Sequence, residues 1–111
     1  MLDTEINRIR DACHDIAKSK GWHEPGPSFG EAIALIHSEL SEALEAFRDG
    51  HTPSELYTID GKPEGIPAEL ADVLIRVFDV CGAFNIDIQE AFFAKVEYNE
   101  TRAHRHGGKK L

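Results

Sequence analysis

Little in this chain suits a metal motif, a membrane or a nucleic acid. There are only two cysteines, Cys13 and Cys81, far apart and each on an apolar helical stripe, so buried free thiols fit them better than a disulfide framework. The six histidines fall into no CxxC, HxxxH or HExxH spacing, and the one close pair, His104 and His106, reads as solvated. No apolar run approaches the ~18 residues of a membrane span, and the opening Met1-Leu-Asp-Thr-Glu does not read as a signal peptide, so a cytoplasmic protein is expected. Basic side chains are few, twelve against twenty acidic ones. The resulting charge of −8 excludes general nucleic-acid binding, which needs a positive surface.

What is present is an ordinary globular composition, 41% hydrophobic and 29% charged over 111 residues, expected to form one domain spanning 1–111 with a core of its own. Against that background two acidic pairs stand out. Glu39-Leu-Ser-Glu42 and Glu69-Leu-Ala-Asp72 each set two carboxylates three residues apart, on one face of a helix. A single such pair is usually solvated decoration. Two pairs on neighbouring, otherwise apolar helices would repel strongly unless a hard divalent cation, Mg²⁺ or Mn²⁺, neutralised their oxygens.

Four helices are expected. The first spans about Asp3 to Lys20, with Leu2, Ile6, Ile9, Cys13 and Ile16 on one buried stripe and Gly21 beyond its end. Trp22-His-Glu-Pro-Gly-Pro27 then makes a stiff turn, and Trp22 either closes one end of the core or lines a ligand pocket. Ser28 and Glu31 form a capping box for the second helix, which stops at Gly50. Its main core stripe reads Phe29, Ile33, Ile36, Leu40, Ala43, Leu44, Phe47; Glu39 and Glu42 fall on a second face with Ala32, Leu35 and Ala46. Residues 51–66 read as a loop with turn chemistry in Asp60-Gly-Lys-Pro-Glu-Gly65, long enough to serve as a lid or an oligomer contact, or simply as a solvated loop.

The third helix opens at Pro67 and is apolar nearly all round, hence buried. Its one polar strip is Glu69, Asp72, Arg76 and Asp79. Arg76 and Asp79 are expected to pair with each other or with neighbours, and Glu69 and Asp72 to meet Glu39 and Glu42. Asp87 and Glu90 start the fourth helix, whose leading face passes from Ile88, Ala91 and Phe92 to Lys95, Asn99 and Arg102. Two cations and an amide on one line suit a bound polyphosphate, although cations also suit any helix C-terminus. The basic tail, with Lys109, could fold over an anion.

The ordered set of ExxE, 26 intervening residues, ExxD, and then Lys95-x-x-x-Asn99-x-x-Arg102 resembles the all-α NTP pyrophosphatases, and within them the MazG-like nucleotide pyrophosphohydrolases. The closing Arg105-His-Gly-Gly-Lys-Lys is similar to tails of small members. The resemblance covers the chain from about Phe29 onward. It implies an all-α, four-helix MazG-like bundle working as a homodimer or homotetramer, with Mg²⁺ (or Mn²⁺) on Glu39, Glu42, Glu69 and Asp72. Glu39 and Glu42 would be the catalytic pair, and Lys95, Asn99 and Arg102 would contact phosphate. The implied reaction hydrolyses a nucleoside triphosphate to the monophosphate and pyrophosphate. Many relatives carry an extra acid immediately before the first motif glutamate; here that residue is Ser38. Trp22, His23 and Phe29 are candidate base contacts that no motif carries.

Two other readings compete. A non-catalytic helical oligomerisation module would carry its acids solvated or salt-bridged, and phosphoribosyl-ATP pyrophosphohydrolase is an alternative substrate class within the same resemblance. A di-iron bundle would need ExxH on its metal helices, which this chain lacks.

Overall fold

Several helix ends rest on identifiable local chemistry. The structure is a computed structural model and describes residues 5–102; Leu2 and Asp3 at the start and the tail with His104, His106 and Lys109 lie outside them. Helix α1 runs Glu5–Ser19, and Gly21 beyond it takes a positive φ of 79°. Helix α2 runs Phe29–Arg48. Its capping box is complete: Glu31 N–H donates to Ser28 Oγ at 3.1 Å, and Ser28 N–H donates to Glu31 Oε1 at 2.8 Å. Helix α3 runs Ile66–Ala83 with a proline in its first turn. Helix α4 runs Ile88–Thr101, where the Asp87 carboxylate accepts from the Glu90 N–H at 3.0 Å.

The stretch read as a loop contains one exception to an all-helical chain. Strand β1, Tyr57–Ile59, pairs antiparallel with β2, Lys62–Glu64, in the register Tyr57–Glu64, Thr58–Pro63, Ile59–Lys62. The link is Asp60-Gly61, both at positive φ (52° and 81°), which is what a two-residue hairpin turn of matching twist requires. At Gly65, where the hairpin meets α3, φ is 106° and a Cβ would run into the Glu55 carbonyl oxygen, so only glycine fits.

Helix α3 is the centre of the bundle, packed by α1 on one side and α2 on another, while α4 leans on α1 and β2 touches α3. Polar bonds tie α1 to the turn that leads into α4. Asn7 Nδ2 donates to Asp87 Oδ1 at 3.0 Å, and an Arg10 guanidinium nitrogen donates to the Ile86 carbonyl at 2.9 Å.

The buried faces differ from the expected stripes. On α2 the side turned to α3 is Ala32, Ile36, Glu39, Ala43 and Ala46, with the two alanines 32 and 43 buried. Small side chains there let the helices approach closely. The bulky residues of the expected core stripe, Leu40, Leu44 and Phe47, lie outside, Leu44 and Phe47 at 58% and 57% exposure. On α1 the inward residues are Ile6, Arg10, Cys13, His14 and Ala17, whereas Ile9 and Ile16 are exposed. The face is rotated because Arg10 and His14 make bonds to the rest of the chain. On α3, expected to be buried nearly all round, Leu70, Leu74 and Ile75 are exposed. Among the described residues no large side chain is completely buried, and the apolar interior is Ala17, Ala32, Ala43, Ile66, Val80 and Cys81. No described helix is long and apolar enough to cross a membrane.

Candidate metal centre

Glu39 sits on the alanine-lined face of α2, so the packing that brings α2 against α3 carries its carboxylate to Glu69 and Asp72. One carboxylate oxygen from each of the three lies within 4.8 Å of the others. Glu42, one turn on and exposed, stands at the margin, close enough for its charge to act on Glu69. The four acids singled out in the sequence therefore gather, three in a tight group and one beside it.

Their charge is poorly neutralised. The Glu69 carboxyl is pushed above its ordinary range by partial burial first, then by the Glu42 and Asp72 charges, and by Glu39. Asp72 is raised too, again by burial first and then by Glu39, while Arg76 and Lys62 pull the other way. Lys62 projects from β2, its Nζ 3.1 Å from Glu64 Oε1. Glu64 above all, with Glu69 and Asp72 behind it, raises the Lys62 amine. The hairpin thus brings one cation towards the acids. Clustered carboxylate oxygens are the donor type that hard divalent cations take.

Arg76 joins the acids to a neighbouring cleft. Its Nε donates to Glu39 Oε1 at 2.9 Å, and its guanidinium carbon lies 5.2 Å from the Trp22 ring centroid. Trp22 is not closing the core; it lines a cavity of about 560 Å³ with Pro27, Leu35, Arg76 and Phe84. Phe84 is itself set edge-on to Phe29, centroids 5.2 Å apart. This volume lies in the range of small-molecule sites, with aromatic walls and His23, Glu31, Arg76 and Asp79 as polar groups on its lining.

The expected phosphate contacts are elsewhere. Lys95, Asn99 and Arg102 lie on an exposed stretch from 91 to 102, and Lys95 and Arg102 approach the Tyr98 ring at 5.4 and 5.8 Å. Helix α4 leans on α1, so the chain by itself does not bring them against the acids of α2 and α3. Lys109 lies outside the described residues.

Arg76 and Asp79 pair with neighbours rather than with each other. Asp79, only 7% exposed, takes two histidines. Its Oδ1 is 2.8 Å from His14 Nδ1 and 2.9 Å from His23 Nε2, with Oδ2 3.1 Å from the same His23 nitrogen. No motif spacing could have disclosed this cluster, because its members come from α1, the Trp22 loop and α3. An acid on a mostly apolar helix was its only trace. Comparison with models of known protein families, with curated proteins and with solved structures finds no match.

Proposed function

We propose that this chain is a Mg²⁺-dependent nucleoside triphosphate pyrophosphohydrolase with a MazG-like bundle, Mn²⁺ being an alternative cation. The observation that carries the reading is the convergence of Glu39, Glu69 and Asp72, with Glu42 beside them, next to an aromatic-walled cleft. Glu39, Glu42, Glu69 and Asp72 would hold the cation. Bound there, it would neutralise phosphate oxygens and lower the pKa of a water. Arg76 fixes the Glu39 carboxylate through Oε1, and Glu39 would take the proton of the attacking water. Trp22 and Phe84 offer flat apolar surfaces on which a base can stack.

Lys95, Asn99 and Arg102 would hold the β- and γ-phosphates. Since one chain leaves them apart from the acids, a neighbouring subunit would supply them in a homodimer or homotetramer. The exposed Leu40, Leu44 and Phe47 of α2 and Leu70 and Leu74 of α3 support such an assembly. Those same stripes also suit a non-catalytic assembly module, which would show no turnover. Phosphoribosyl-ATP remains an alternative substrate.

The deciding experiment is hydrolysis of nucleoside triphosphates in ¹⁸O-labelled water with Mg²⁺. Attack at the α-phosphorus puts the label in the monophosphate and releases pyrophosphate. Label in orthophosphate alone would refute the mechanism, and no turnover across a nucleotide panel that includes phosphoribosyl-ATP would favour the assembly module.

A further inference from the structure

A buried carboxylate is costly unless a cation or several donors compensate it. Among the described residues Asp79 has no lysine or arginine partner; the nearest arginine on its helix, Arg76, gives its Nε to Glu39. What faces Asp79 is two imidazole nitrogens, His14 Nδ1 and His23 Nε2, the rings edge to face with centroids 5.0 Å apart. The three side chains present one ligand atom each within 4.8 Å of one another. We propose that His14, His23 and Asp79 form a second metal site, for a borderline transition-metal dication such as Zn²⁺, separate from the carboxylate cluster.

The donor set favours that class of ion. Two imidazole nitrogens and one carboxylate oxygen suit Zn²⁺ and its neighbours, whereas Mg²⁺ prefers oxygen alone. With metal–ligand bonds of about 2.0–2.2 Å, ligands around a tetrahedral ion sit about 3.3–3.5 Å apart. The present imidazole–carboxylate distances of 2.8–3.1 Å would have to open by only some tenths of an ångström. Each ring would move its proton to its other nitrogen, leaving a lone pair for the metal.

The site is built into the packing. At Gly82, one turn beyond Asp79, a Cβ would meet His14 Cγ at 2.8 Å, so the His14 ring lies against α3 where only glycine leaves room. His23 and Asp79 both line the Trp22 cleft, which leaves a side of the cluster open to a water or a ligand atom. Asp72 and Asp79 are seven residues apart on α3, about 10 Å along the axis, so the two clusters are distinct. A metal here would tie α1, the Trp22 loop and α3 together at the rim of the cleft.

Chelator-stripped protein in excess Mg²⁺, added to compete for the carboxylates, is titrated with Co²⁺ and then with Zn²⁺. The expected result is one Co²⁺ per chain with the intense visible bands of a low-coordinate ion, displaced by Zn²⁺, together with a Zn²⁺-induced rise in melting temperature. His23→Gln should abolish the bands and keep the helical circular dichroism, because the amide can still donate to Asp79. Glu69→Gln should leave them unchanged. X-ray absorption of the Zn²⁺-loaded wild type should show two imidazoles, which tests the assignment even if a variant misfolds. Absence of the bands, their survival in folded His23→Gln, or a metal spectrum without imidazole would overturn the proposal. The outcome is independent of nucleotide turnover.

Discussion

Arg76 donates from Nε to Glu39 Oε1 at 2.9 Å, and through that bond the acidic cluster and the Trp22 cleft share one side chain. Both partners are mostly withdrawn from solvent, at 29% and 18% side-chain exposure. A hydrogen bond between charged groups in such a setting contributes about 1.5–3 kcal/mol. Arg76→Ala should therefore lower the melting temperature in the absence of divalent metal. Under the proposed metal site it would also remove a positive charge beside Glu39, so saturating Mg²⁺ should recover part of the loss. Thermal melts with chelator and with Mg²⁺ check this; equal losses in both would deny Arg76 any link to the metal.

If the acids hold the cation, Mg²⁺ should raise the melting temperature of the wild type by linkage. Glu42→Gln should abolish turnover with the helices intact, and should remove most of that Mg²⁺ effect. An active variant with unchanged metal dependence would sink the assignment.

The raised pKa values of Glu69 and Asp72 give the metal-free protein a characteristic pH response. A carboxyl whose folded pKa exceeds its unfolded value binds its proton more tightly when folded. Its ionisation costs stability, beginning as pH rises above the ordinary values of 4.5 and 3.8 and complete above the raised ones. Metal-free protein should accordingly gain stability as pH falls from neutral through that window. Glu69→Gln should flatten the gain, and Mg²⁺ should suppress it by holding the carboxylates ionised. Melting curves across pH 4–8, with and without Mg²⁺, provide the measurement.

The exposed leucines make a prediction about assembly. Burying a leucine or phenylalanine side chain contributes about 1.5–3 kcal/mol, and Leu44 and Phe47 are each more than half exposed. Leu44→Glu with Phe47→Glu should shift sedimentation toward the monomer without loss of helicity. If α4 of a neighbour supplies the phosphate contacts, the same variant should lose turnover. A wild type that is strictly monomeric at micromolar concentration and fully active would contradict both.

Arg102→Ala should weaken triphosphate turnover strongly and leave thermal stability nearly unchanged, because Arg102 is exposed and among the described residues its side chain meets the Tyr98 ring. Added negative charge on the departing pyrophosphate is what such a cation stabilises. Steady-state kinetics beside a melting curve separates the two effects.

Helix limits were largely legible because caps are local: Ser28 with Glu31, the proline in the first turn of α3, and Asp87 with Glu90 act within one turn. The gathering of Glu39, Glu69 and Asp72 was legible from spacing on two helices. The hairpin was signalled by Asp60-Gly61 but hidden by the brevity of its strands. Periodicity distinguished two faces of α2 without telling which would meet α3. Bulk pointed to the leucine stripe, and close approach selected the alanine one. The histidine cluster was beyond reach, since it depends on how three separate segments meet.

The small interior of the chain has a thermodynamic corollary. Among the described residues, alanines, one valine, one isoleucine and one cysteine make up the buried apolar set, and many larger apolar side chains lie at the surface. Under the proposed assembly, folding and association would be one coupled equilibrium governed by mass action. The melting temperature would then climb with protein concentration, and dilution alone would act on this chain as a denaturant does on others.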